Sequence, residues 1–158
     1  MEASKRQFLR RTPDRQEIRP PWIINQAAFT DGCTRCGECI SACPENILCA
    51  GDGGFPVVDF TGGQCTFCGL CAEVCEPALF SSGVHDNDSA WRHTAQVNDR
   101  CLTNFGVMCR SCEDACEPRA IRFALAVGFV PRPVVDEGAC TGCGACIAPC
   151  PENALLML

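Results

Sequence analysis

The sequence predicts an α+β chain with sparse regular secondary structure, built as two tandem copies of one small cysteine-rich module. Seventeen of its 158 residues are cysteine, far more than an ordinary globular domain carries. Sixteen of them fall into four runs, three of one spacing and one lengthened at its start. Those runs form two pairs, with matching segments between the members of each pair, which is the mark of an internal repeat.

Modules of about 50 to 60 residues bury too little apolar surface to be stable unaided, so the cysteines are expected to staple them. Disulfides, zinc and iron–sulfur clusters are the three candidate staples.

Residues 1–30 form a basic N-terminal segment. It carries Lys5, Arg6, Arg10, Arg11, Arg15 and Arg19 but no apolar run of the kind a secretion signal needs. The longest apolar stretch later on, Phe123 to Val130, is far short of the roughly 18 residues that span a bilayer. A soluble, cytoplasmic chain is therefore expected, and disulfides are disfavoured there. Trp22, after Pro20 and Pro21, is expected to anchor this segment on the body, a partner-binding role being the alternative.

Residues 31–80 are the first module. It reads Cys33-x2-Cys36-x2-Cys39-x3-Cys43-Pro44, then Cys65-x2-Cys68-x2-Cys71-x3-Cys75-Glu76-Pro77. Short helices are expected near Glu38–Ala42 and Leu70–Val74, and a strand over Gly54–Asp59, bounded by turn residues. Residues 81–98 read as a polar linker holding both histidines, His85 and His93, expected to be plain solvated side chains. Residues 99–158 are the second module: Cys101-x7-Cys109-x2-Cys112-x3-Cys116-Glu117-Pro118, then Cys140-x2-Cys143-x2-Cys146-x3-Cys150-Pro151. Its helices are expected near Cys112–Cys116 and Ala145–Pro149 and its strand over Pro131–Asp136. Cys49 stands outside every run and is expected to be a small buried apolar residue.

A cubane [4Fe–4S] cluster needs soft thiolates converging from several directions, and C-x2-C-x2-C wraps three sulfurs around three irons. In paired motifs of this type the fourth cysteine ligates the other cluster. Site one is then expected to use Cys33, Cys36, Cys39 and Cys75, and site two Cys65, Cys68, Cys71 and Cys43. Site three would use Cys101, Cys109, Cys112 and Cys150, and site four Cys140, Cys143, Cys146 and Cys116. Zinc prefers two separated C-x2-C pairs, whereas three runs here are unbroken. The third run departs from the pattern, with seven residues between Cys101 and Cys109 where two are usual. Cys101 is expected to return as a ligand on a longer loop; a three-ligand or labile site is the alternative.

Residues 1–25 hold six basic and three acidic side chains, so the remainder contributes −9 to the formal charge of −6. Four clusters, each of net charge −2 with its thiolates, would take the total to about −14. Such a field disfavours nucleic acid and favours basic protein patches. No glycine-rich nucleotide loop or catalytic constellation is present in the sequence, so an electron carrier rather than an enzyme is expected.

The cysteine pattern resembles bacterial-type ferredoxin modules across residues 33–158. The basic opening Lys5 to Arg11, Arg19-Pro20-Pro21-Trp22, the run from Cys33 through Gly54–Phe60 to Gly69, and the lengthened third motif together resemble the NapF family, ferredoxin-type accessory proteins of the periplasmic nitrate reductase system. That resemblance implies a cytoplasmic protein that binds the precursor of the molybdenum-containing nitrate reductase catalytic subunit and assists its maturation before export. The alternative is an electron-wire subunit of a larger oxidoreductase complex.

Overall fold

The structure, a computed structural model, describes residues 17–81, 90–124 and 127–158; the basic residues from Lys5 to Arg15, and His85, lie outside the described residues. Its elements are short because loops that must each deliver several cysteines leave little chain for regular structure. Four α-helices are described, α1 (Gln26–Gly32), α2 (Glu38–Ser41), α3 (Leu70–Glu73) and α4 (Ser111–Asp114). The strands are β1 (Leu48–Ala50), β2 (Pro56–Val58), β3 (Ala95–Val97), β4 (Ile121–Ala124), β5 (Arg132–Val135) and β6 (Leu155–Met157).

Each half repeats one plan. An antiparallel ribbon joins β1 to β2 in the first half and β4 to β5 in the second, with Leu48 opposite Val58 and Ile121 opposite Val135. A second pairing closes the ends: β3 lies antiparallel to β6, and a single bridge from Ile23 to Phe80 takes the same place in the first half. The strands expected over Gly54–Asp59 and Pro131–Asp136 are thus β2 and β5, trimmed at both ends. Prolines 56 and 133 sit within two-stranded ribbons, where every strand has a free edge and a missing N–H costs little.

Three of the four expected helices form, and the fourth does not. Residues 145–149 are turns, held by bonds from Ile147 N–H to the Gly144 carbonyl (3.0 Å) and from Cys150 N–H to the Ile147 carbonyl (3.1 Å). In α2 the Ala42 N–H reaches back to the Glu38 carbonyl at 2.9 Å. The equivalent residue in the last run is Pro149, which has no N–H to donate.

The linker expectation also needs correcting. Residues 95–97 pair with the C-terminal strand. Ala90 is buried and Trp91 half-buried. His93 is half-buried rather than solvated, and burial lowers its pKa. The N-terminal segment behaves as expected from residue 17 onward. Ile18 accepts the Val58 N–H at 2.8 Å along the free edge of β2, and Arg19 Nη1 donates to the Pro56 carbonyl. Trp22 is only 3 % exposed, packed with Phe29, Leu79 and Phe80. Asn25 caps α1, its Oδ1 accepting the Ala28 N–H at 2.9 Å, so that the chain turns from the Trp22 anchor towards Cys33.

Among the described residues, two apolar clusters form the core. One contains Trp22, Phe29, Leu48 and Phe80 of the first half, together with Ala90 from the segment that follows it. The other joins Ile47 and Phe60 of the first half to Ile121, Ile147, Leu155 and Met157 of the second, so the halves share a core.

Candidate iron–sulfur sites

Three of the four cysteine runs share one backbone device, and all four share another. Arg35, Phe67 and Gly142, the residues just before the second cysteine of three runs, have φ between +55° and +74°, and the glycines just after it, Gly37, Gly69 and Gly144, lie between +78° and +83°. This pair of left-handed residues folds each loop sharply around its sulfurs, and glycine makes the second of them strain-free. The third run lacks the device: Arg110, in the glycine's place, has φ −130°, because the loop enters Cys109 from a 3-10 turn over Leu102–Phe105. After the fourth cysteine of every run comes a tight turn. The N–H of Asn46, Ala78, Arg119 or Asn153 donates to the carbonyl of Cys43, Cys75, Cys116 or Cys150 at 3.0 to 3.3 Å. All four of those residues have positive φ.

The structure brings the predicted residues together as follows. A cavity with about 350 Å³ of empty space, partly open to solvent, is lined by Cys43, Cys65, Cys68 and Cys71 with Ile47 and Leu48. A second, of about 310 Å³, is lined by Cys116, Cys140, Cys143 and Cys146 with Ile121 and Met157. In each, the contribution from the partner run is its fourth cysteine. Cys33, Cys36 and Cys75 are the cysteine neighbours of Cys39, whose thiol is pushed up to about 11 by burial and then by those neighbours. Cys101 lies near Cys112 together with Cys109, in spite of its long loop; burial is the first cause that raises Cys112 to about 11. Cys150, the remaining member of the predicted third set, packs on the shared core and accepts the Ala154 N–H on its Sγ at 3.2 Å.

Burial dominates the electrostatics of the more enclosed sulfurs. Burial, and then the neighbouring cysteines, push Cys71 and Cys146 up to about 12. Burial likewise raises Cys65 to about 11, against the Phe67 N–H that donates to its Sγ at 3.4 Å. In the bare chain these thiols hold their protons at neutral pH, so whatever binds must displace protons and neutralise several thiolates at once. A multi-iron cluster does so. Four thiols lining one largely apolar cavity can give each iron of a cubane one ligand. Among the described residues, no group of three or more His, Cys, Asp or Glu side chains is placed to hold a metal ion.

Cys49 departs from expectation. It is exposed on β1, where Leu48 alone of the three strand residues is buried and both Cys49 and Ala50 face solvent. Burial first, then Asp59 and Glu17, raise its pKa. The sequence reading also missed a set of residues that matter for the sites. The Trp91 Nε1–H donates to the Thr141 carbonyl, between Cys140 and Cys143, at 3.1 Å. The Trp91 ring also stands edge-on to Phe60 and Phe67. Only the scarcity of tryptophan, two in the chain, distinguished it.

The chain matches the 4Fe-4S dicluster domain over residues 32–103 and again over 107–154. It is 43 % identical over 138 residues to the ferredoxin-type protein NapF of Escherichia coli K12, covering 87 % of this chain and 82 % of that protein. It is 46 % identical over 140 residues to NapF of Haemophilus influenzae, covering 89 % and 78 %. The ferredoxin-type protein NapG of Escherichia coli K12 is more distant, 31 % identical over 156 residues, covering 84 % of this chain and 65 % of that protein. No described helix is long and apolar enough to cross a membrane. Two tandem dicluster matches on a repeated cysteine scaffold, together with this similarity along most of both chains, show that the chain belongs to the NapF family of ferredoxin-type proteins.

Proposed function

We propose that the chain carries four [4Fe–4S] clusters on the four cysteine sets drawn from its sequence and acts as a low-potential one-electron carrier. The two cavities support this most directly: each is lined by three cysteines of one run and the fourth cysteine of the run paired with it. A bound cubane supplies one-electron transfer without proton movement. The chain's own part is to hold and shield the sulfurs. The Phe67 and Ala154 amides donate to Cys65 and Cys150, offsetting negative charge on those sulfurs and so tuning potential. Anaerobic iron and sulfide analysis tests the proposal. About sixteen of each per chain are expected for four cubanes, and a value near eight would reject it.

Within the family, the function we infer is service to the periplasmic nitrate reductase system: binding the cytoplasmic precursor of the molybdenum-containing catalytic subunit and assisting its maturation before export. Similarity to NapF over most of both chains supports this reading. Anaerobic affinity capture from the native cell, with mass spectrometry of the bound proteins, should recover that precursor. Recovery of membrane oxidoreductase subunits instead would make the chain an electron wire.

A further inference from the structure

Where the halves meet, two sites are joined directly. The Cys65 N–H donates to the Cys143 carbonyl at 2.8 Å, a backbone bond between the second run and the fourth. Phe60 lies against the same loop: a Cβ added to Gly144 would fall 2.1 Å from its ring, so only glycine admits the ring there. Trp91 closes the other side, its Nε1 bound to the Thr141 carbonyl and 2.5 Å from where a Gly142 Cβ would stand. The apolar cluster at this seam includes cysteines of sites two, three and four, and none of site one. Within each half the runs also adjoin: Cys39 lies near Cys71, and Cys112 near Cys146.

We propose that the four sites form one linear relay in the order one, two, four, three, with the crossing between modules at the Cys65–Cys143 contact held by Phe60, Trp91 and Gly144. Sequence order would instead place site three next to site two. An electron crossing the seam oxidises one reduced cluster and reduces its neighbour, with no bond made or broken and no proton moved. A low-potential one-electron donor supplies it, dithionite in the test below. The proposal rests on the four-cluster reading.

The test is electron paramagnetic resonance of dithionite-reduced holoprotein, in which adjacent reduced clusters broaden each other's signals. Cys143→Ala removes a ligand of site four but keeps the backbone carbonyl that accepts from Cys65. It should strand site three as a narrow, magnetically isolated signal of one spin per chain. Cys109→Ala removes the end site, three, and should leave no isolated signal. The reverse pattern, or isolation in both, overturns the order. Should either variant lose the iron of its whole module, Gly144→Ala in the native cysteine background decides. Its methyl opens the seam, and broadening between modules should fall while the iron count holds; unchanged broadening rejects the crossing point. An iron count near eight in the unaltered protein would instead refute the four-cluster reading, and the two failures are distinguishable.

Discussion

Replacing Phe60 by alanine asks whether the two modules stand or fall together. The ring is 4 % exposed, packs among Ile47, Ile121 and Ile147, and stands edge-on to Trp91 with ring centres 5.9 Å apart. Burial is nearly complete and the neighbours come from both halves, so the cavity left behind has little means to collapse. A loss of about 3 to 5 kcal/mol follows, the aromatic pair contributing about 1 of it. At about 2 to 4 °C per kcal/mol for a chain of this size, the midpoint should drop by roughly 6 to 20 °C. Anaerobic thermal melts of the holoprotein, followed through sulfur-to-iron absorption and far-ultraviolet circular dichroism, read the shift. Because the core is shared, the transition should remain single. Phe105→Ala is the control: that ring is 72 % exposed, and its loss should cost no more than about 0.5 kcal/mol. If Phe60→Ala melts like Phe105→Ala, or splits the melt with one module unmoved, the shared-core argument fails.

Cys101→Ala should lower the iron content from about sixteen to about twelve per chain; an unchanged count would mean that the lengthened loop supplies no ligand. Stripping iron with a chelator under anaerobic conditions should abolish most of the secondary-structure signal, since ligand-driven folding is lost with the ligand; retention of that signal would show that the apolar clusters suffice alone. Asn25→Ala removes the cap on α1 and should cost about 1 kcal/mol, read as a small midpoint shift at unchanged iron content, whereas a shift of zero would mean that the Trp22 anchor alone sets this turn.

Much of the plan was legible because cysteine spacing is mechanical. The runs located α2, α3 and α4 within a residue or two, since a short helix is what carries a cysteine three residues on. The repeated Val-Val-Asp segments marked β2 and β5. What escaped the sequence depended on contacts between distant residues. Pro149 silently removes a turn of helix that the other runs keep. Cys49 looks like core, yet the outer end of β1 leaves it exposed together with Ala50. His93 and Trp91 sit in a polar stretch that reads as linker, yet residues 90–97 are held by partners some 50 to 60 positions away, the Thr141 carbonyl and the strand Leu155–Met157. Composition carries no information about such partners, so the shared core was invisible until the chain was folded.

The pairing of β3 with β6 also sets where the molecule can be cut. A fragment that begins at residue 99, the boundary suggested by cysteine counting, would leave Leu155–Met157 without its neighbour: an unpaired strand carrying the newly uncovered side chains of Leu155 and Met157, both buried in the intact chain. Open apolar edges of that kind recruit other chains. A separately expressed second half should therefore begin upstream of Trp91, and even then it would expose the apolar patch that Phe60 covers. The practical unit of this protein is the pair of modules, because each supplies part of the other's surface.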